Sequence, residues 1–168
     1  YSFRFHSSTV PLREELSLCD NYVKLCGAMK ESTPQLLLDI ESSLMDTQIL
    51  PISLLTFLEN SIRINLTPQK ELKIHIRAKR MQTEDGAILC ISVHDNGIGF
   101  DEEHLQMLNG TAWLQKNDGH VGLQNVVRRF RLLYGERFSI AFYNQDGAMI
   151  EMFLPAEKQE REVDTDEA

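Results

Sequence analysis

The chain has 168 residues, of which 42% are hydrophobic, and a net charge of −8. This size predicts one globular domain with a short appendage. The sequence contains no apolar run long enough to predict a membrane span and no segment typical of a signal peptide. The acidic balance argues against nucleic-acid binding. Cys19, Cys26 and Cys90 fit no zinc-site spacing, so we expect buried thiols in a reducing compartment.

The N-terminal segment predicts a helix that Pro11 opens and the segment 27–34 ends. It carries two apolar stripes with helical spacing, Leu12/Leu16/Cys19/Val23/Cys26 and Leu18/Tyr22/Leu25. The first stripe is wide enough to pack on a neighbouring helix, on a sheet or on a partner chain.

Residues 36–40 then predict a short strand and residues 42–50 a loop. A second helix is expected to start at Pro51 and to end before Thr67-Pro68. Alternating residues over 72–79 and an apolar run over 88–93 predict an antiparallel hairpin.

Residues 101–119 show little pattern beyond a possible short helix over 101–108. A strong helix follows over 123–134, and a second hairpin forms around Asp146-Gly147. The predicted fold class is therefore α+β, a two-layer sandwich of helices on one face of a mixed, mostly antiparallel sheet.

One short segment suits a small planar ligand. Asp95-Asn96-Gly97-Ile98-Gly99-Phe100 directly follows the second strand of the first hairpin. A carboxylate at a strand's end can accept a hydrogen bond from an exocyclic amino group, and glycines let the backbone approach a ligand closely. Because Asp-Asn and Asn-Gly also mark ordinary turns, the hexapeptide alone leaves both interpretations open.

Two further segments suit phosphate and a metal ion. Gly119-His120-Val121-Gly122-Leu123 opens a helix, where free backbone N–H groups and partial positive charge favour phosphate. Asn60 offers a neutral carbonyl oxygen in a helix interior, which an Mg²⁺ ion bridging phosphates would use. Arg63 lies on the same helical face, where it can meet phosphate charge.

These segments, in this order, resemble the GHKL nucleotide-binding superfamily of gyrase, heat-shock chaperone, histidine kinase and mismatch-repair proteins. Glu59-Asn60 resembles its N box, residues 95–99 its first glycine box and residues 119–123 its second. Sensor histidine kinases of the LytS/YesM type are similar in more detail, over Glu59-Asn60-Ser61-Ile62-Arg63, Gly122-Leu123-Gln124-Asn125-Val126 and the leading helix.

The resemblance implies ATP and Mg²⁺ as cofactors and gives each site residue a role. Asp95 would accept the adenine amino group, and Gly97 and Gly99 would shape the adenine pocket. Asn60 would bind Mg²⁺, and Glu59 would position the ion or a water. The phosphates would be held by the turn Gly119, His120, Val121, Gly122 and Leu123, in which His120 touches phosphate or caps the turn.

The unpatterned segment 101–119 would be a lid over ATP, in which Trp113 packs over the nucleotide or within the loop. Some positions depart from the family pattern. Thr56 stands where gyrase relatives have a catalytic Glu, which disfavours their kind of hydrolysis and suits a kinase. Ile64 and His120 replace a histidine and a glycine, so a degenerate nucleotide-binding module stays an alternative, as does an anti-sigma-type serine kinase.

The resemblance also implies how the chain is organised. Residues 1–30 would end a dimerisation and phosphoacceptor region, residues 31–156 would form the ATP-binding catalytic domain, and residues 157–168 would be a disordered acidic tail. Because the chain begins without Met, we expect it to be a piece of a longer protein, and the resemblance implies that it is the cytoplasmic part of a homodimeric, membrane-anchored receptor. Its acceptor histidine would lie upstream of Tyr1 rather than at His6, His75, His94 or His104, and would pass phosphate to a response regulator.

Overall fold

The computed structural model describes residues 9–29, 32–115 and 121–156. Within these ranges the helices are α1 (Leu12–Met29), α2 (Ser53–Asn65), α3 (Glu102–Asn109) and α4 (Val121–Tyr134). The strands are β1 (Val10–Pro11), β2 (Gln35–Ile40), β3 (Gln48–Ile49), β4 (Lys73–Thr83), β5 (Gly86–Asp95), β6 (Ser139–Asn144) and β7 (Ala148–Pro155).

The main sheet has five strands in the order β2-β4-β5-β7-β6. Strand β2 runs parallel to β4, and the other neighbours are antiparallel, with Ile76 opposite Val93 and Val93 opposite Ile150. Strands β1 and β3 form a separate short pair. The mixed, mostly antiparallel sheet and both hairpins confirm the predicted fold class.

Helices and sheet bury their apolar faces against each other. The first predicted stripe of α1, Leu12/Leu16/Cys19/Val23/Cys26, is buried. Helix α1 packs on α2, so this stripe is covered within the chain. Alternate residues of the central strands complete the core, among them Ile74, Ile76, Leu89, Ile91 and Met152. Among the described helices, none is both long and apolar enough to cross a membrane.

The end of α1 and the start of α2 both differ from the predicted boundaries. Helix α1 continues past Gly27 to Met29, and the Thr33 side chain lies where a Cβ on Gly27 would project. Helix α2 begins at Ser53 rather than at Pro51, because Ile52 adopts a left-handed conformation (φ 64°) that ends the preceding turn.

The start of α2 is capped by a residue of another helix. Glu15 of α1 is fully buried, and its carboxylate accepts hydrogen bonds from Ile52 N (2.9 Å) and Leu55 N (3.2 Å). A carboxylate here binds backbone donors that a helix leaves free, and it faces the positive end of the helix dipole. Because the N-cap residue Ile52 provides no side-chain cap of its own, α1 determines how α2 begins.

Candidate functional site

A cavity of about 200 Å³ lies beside α2, the end of β5 and the N-terminal part of α4. It brings together five of the predicted site residues, Asn60, Arg63, Asp95, Gly99 and Leu123. Much of the remaining wall is apolar, and Leu108 of α3 and Ile150 of β7 contribute to it. A cavity with apolar walls and few polar groups is typical of small-molecule sites.

Asp95 is the polar centre of this cavity and is only 5% exposed. Its Oδ1 accepts hydrogen bonds from Gly97 N (2.9 Å) and Ala148 N (3.1 Å). Its Oδ2 accepts a short one from Ser61 Oγ (2.6 Å) and a long one from Asn65 Nδ2 (3.4 Å). These donors fix the orientation of the carboxylate at the cavity wall.

The turn between β6 and β7 packs against the backbone of Asp95. Gly147 has a φ of 126°, and a Cβ there would collide with the Asp95 carbonyl group. A glycine is therefore needed for β7 to start next to the end of β5. This close approach brings Ala148 N within reach of the Asp95 carboxylate.

The segment after Asp95 is a turn, and Ile98, Gly99 and Phe100 of this segment also line the cavity. Asn144 binds Phe100 twice, accepting from its N (2.8 Å) and donating to its O (2.7 Å). Asn96 accepts from Lys73 N (2.9 Å) and donates to Glu71 O (3.1 Å). These side chains fix the backbone on both sides of Gly97 and Gly99.

Of the predicted N-box residues, Asn60 lines two recesses and Glu59 lines one of them. Asn60 lines the Asp95 cavity, and its Oδ1 accepts a hydrogen bond from Arg63 Nη2 (3.0 Å). Glu59 instead lines a neighbouring recess of about 350 Å³, which Tyr22, Asn60 and Arg63 share. Burial raises the pKa of Tyr22, and the Cys26 thiol and the Glu59 carboxylate add to that shift.

Asn60 and Glu59 offer the hard oxygen donors that Mg²⁺ prefers. Among the residues that the structure describes, no three His, Cys, Asp or Glu side chains cluster as a metal site. An ion held here would therefore take most of its ligands from phosphate oxygens and water, which is the usual coordination of Mg²⁺ beside a nucleotide.

The predicted phosphate turn is described only from Val121, where α4 begins, and Gly119 and His120 lie outside the described residues. Leu123 is buried and lines the cavity. Gly122 is exposed, and a Cβ there would lie 3.6 Å from the Thr56 Cγ2 atom of α2. The N-terminus of α4 thus lies beside the helix that carries Asn60.

The predicted lid contains α3 and a short 3-10 helix, Ala112–Gln115. Trp113 is buried there, with its ring edge-on to Phe142 and its Nε1 donating to Gly110 O (3.0 Å). Gln124 of α4 donates to Trp113 O (2.6 Å). Of the two alternatives for Trp113, packing within the loop is therefore the one observed.

Several residues of the site were missed by the sequence analysis. Ser61 and Asn65 lie one helical turn apart and both bind Asp95, a spacing that could have identified them. Ala148 contributes only its backbone N, and Glu15 acts on α2 from a different helix. Neither of these contacts has a signal in the local sequence.

Comparisons with known proteins show which family the sequence resembles. The sequence profile of the family described as histidine kinase-, DNA gyrase B-, and HSP90-like ATPase matches residues 46–158. Sensor protein LytS of Enterococcus faecalis is 26% identical over 158 residues, which cover 91% of this chain and 26% of that protein. An uncharacterized sensor-like histidine kinase of Staphylococcus epidermidis is 31% identical, with 92% of this chain and 30% of that protein covered. The chain thus spans less than a third of the length of these curated relatives.

A solved structure shows the same fold. The catalytic domain of the histidine kinase ThkA, in a nucleotide-free form, matches with a TM-score of 0.62 at 18% identity, covering 89% of this chain and 97% of that domain. The likeness confirms the predicted two-layer sandwich fold. The family profile covers more than half of the chain, including residues 59–60, 95–99 and 119–123. The chain therefore belongs to the histidine kinase-, DNA gyrase B- and HSP90-like ATPase family.

Proposed function

We propose that this chain is the ATP-binding catalytic domain of a bacterial sensor histidine kinase. The observation that carries the proposal is the buried Asp95 carboxylate, held by four donors in the wall of a largely apolar cavity. Asn60 and Arg63 line the same cavity. The family and the names of the relatives support the same conclusion.

In this proposal the adenine ring enters the cavity next to Asp95, which accepts a hydrogen bond from the exocyclic amino group. Gly97 and Gly99 would shape this pocket by letting the Asn65 and Asn144 amides approach the loop closely, and Leu108 and Ile150 would contribute apolar contacts. A fixed carboxylate selects for an amino donor because a carbonyl group placed there would leave two acceptors facing each other.

The phosphates would extend past Asn60 towards the start of α4. The N–H groups of the turn Gly119, His120, Val121, Gly122 and Leu123 would bind them, with Arg63 adding positive charge. Asn60 would hold an Mg²⁺ ion that neutralises phosphate charge, and Glu59 would position that ion or a water. Arg63 now donates to Asn60 Oδ1, so ligand binding would require this pair to rearrange.

The whole protein would transfer the γ-phosphoryl group of ATP to a histidine upstream of Tyr1. The bond from the γ-phosphorus to the bridging oxygen breaks, a bond to the imidazole nitrogen forms, and ADP leaves. Positioning and charge neutralisation would supply most of the catalysis. A homodimeric, membrane-anchored receptor would provide the acceptor helix in cis or in trans, and a response regulator would receive the phosphoryl group.

The Asp95→Asn variant tests the base site by titration calorimetry with Mg-ATP. The new amide can keep its oxygen towards Gly97 N and Ala148 N, so we expect it to fold. Its NH₂ group, however, would face the adenine amino group. The lost bond to a charged acceptor predicts an affinity roughly tenfold to a hundredfold lower.

The matched control is Asp39→Asn, the same change on an exposed carboxylate of β2 that pairs only with Arg77 at 3.7 Å among its described contacts. Its ATP affinity should equal that of the parent chain. Equal ATP affinity in the Asp95 variant would show that Asp95 does not bind the base.

The kinase activity is tested by adding an isolated acceptor-helix domain and labelled ATP to the chain. Label on the acceptor histidine would support the proposal. ATP binding without transfer would favour the degenerate nucleotide-binding module, and label on a serine of an added partner would favour an anti-sigma-type kinase. The chain alone should not label its own histidines.

A further inference from the structure

Asn65, the last residue of α2, contacts the base site through both ends of its amide. Its Nδ2 donates to Ser61 O at 2.9 Å and to Asp95 Oδ2 at 3.4 Å. Its Oδ1 accepts from Ile98 N at 3.0 Å. One side chain therefore links the helix, the carboxylate and the loop after β5.

The orientation of this amide follows from its three partners. Ser61 O and Asp95 Oδ2 can only accept a hydrogen bond, and Ile98 N can only donate one. Turning the amide over would place oxygen against two acceptors and NH₂ against a donor, so all three bonds would be lost. The NH₂ group must therefore face Asp95.

Asn65 also occupies space within the site. It lines the cavity, and its amide lies where a Cβ on Gly97 would project. Asp95 Oδ2 has room for about two donors. Ser61 Oγ takes one position at 2.6 Å, and Asn65 Nδ2 takes the other at a length that makes a weak bond.

We propose that Asn65 is a specificity-determining residue, because its NH₂ group competes with the exocyclic amino group of a bound base for Asp95 Oδ2. The inference rests on the proposed ATP site and adds to it how sharply that site selects adenine. Asn65 can give up the long bond while keeping its bond to Ser61 O, so the competition lowers selectivity without blocking the site.

The consequence concerns ATP compared with ITP, whose base carries a carbonyl in place of the amino group. In the parent chain, ATP gains a bond to Asp95 but displaces the one from Asn65. The amino group therefore contributes less to ATP affinity than it would at an unoccupied carboxylate. Removing the Asn65 amide should raise the ratio of ATP affinity to ITP affinity.

The Asn65→Ala variant measures this effect by titration calorimetry with Mg-ATP and Mg-ITP. Ile98 is 83% exposed, so water can replace Asn65 at Ile98 N. Asp95 keeps its short bond from Ser61, and we expect the variant to fold. Because the freed bond is a weak one to a charged acceptor, we expect the ATP/ITP ratio to rise by about three- to tenfold.

Asn144→Ala is the matched control. Asn144 also anchors the loop, through Phe100, but it has no bond to Asp95 among its described contacts. If Asn65 only holds the loop, both variants should change ATP and ITP affinity by equal factors. If Asn65 competes for Asp95, only its own variant should change the ratio.

An unchanged or lower ratio in Asn65→Ala overturns the inference, and so does an equal rise in Asn144→Ala. Suppose that ATP binds the parent chain, that Asp95→Asn weakens this binding, and that the ATP/ITP affinity ratio of Asn65→Ala equals that of the parent chain. Only this inference then fails. If neither ATP nor ITP binds the parent chain, the proposed base site fails, and the inference fails with it.

Discussion

Replacement of Glu15 tests whether α1 sets the start of α2. The carboxylate is fully buried and binds Ile52 N and Leu55 N at 2.9 and 3.2 Å. Hydrogen bonds to a charged group contribute about 1.5–3 kcal/mol each, and loss of a helix cap costs about 1 kcal/mol. Water can reach Ile52 N in part, because Ile52 is 54% exposed, so the two bonds do not add in full. We therefore expect Glu15→Ala to lower the free energy of unfolding by roughly 2–4 kcal/mol.

Urea unfolding followed by circular dichroism measures this loss. The comparison requires that the slope of the unfolding free energy against urea concentration is the same in the variant and the parent chain. Glu15→Gln keeps one oxygen as an acceptor and should lose about half as much. Glu14→Ala is the control, because Glu14 is the exposed neighbour on the same helical turn and should change stability by about 0.5 kcal/mol or less. Equal losses in the Glu14 and Glu15 alanine variants would refute the capping role.

Three further outcomes are expected. Ser61→Ala removes the 2.6 Å donor to buried Asp95 and should cost about 1.5–3 kcal/mol in the free energy of unfolding measured with urea. Burial, with the Glu15 carboxylate adding, raises the pKa of Cys19 to about 12. Site-resolved mass spectrometry should therefore find Cys19 unalkylated at about pH 8.5 in the folded chain and alkylated in concentrated urea. Phe130→Ala empties a fully buried core position and should lower the free energy of unfolding by about 3–5 kcal/mol. A smaller loss measured by urea unfolding would contradict this prediction.

The fold was predictable where structure follows local pattern. Alternation over 72–79 and the apolar run over 88–93 predicted the hairpin of β4 and β5, and the apolar stripe of α1 predicted its buried face. The start of α2 was not predictable in this way. Its cap comes from Glu15, 37 residues before Ile52, and no window around Pro51 contains that information.

The site was predictable in part for the same reason. Asp95, Asn60 and Arg63 belong to short motifs, and the structure brings them to one cavity. Glu59 and Asn60 are adjacent in sequence, yet of these two recesses Asn60 lines both and Glu59 lines only the one beside Tyr22, because neighbouring residues on a helix point about 100° apart. Asn65 was not identified from the sequence, and only its three partners give it a role.

The donors around Asp95 come from distant parts of the chain. Ser61 lies 34 residues before it and Ala148 lies 53 residues after it. A chain in which the helices had formed but β7 had not yet paired with β5 would contain every nucleotide motif and still lack the complete carboxylate site. Ligand affinity thus reports whether β7 has paired with β5. A nucleotide that binds only there would draw the folding equilibrium towards the fully assembled sheet.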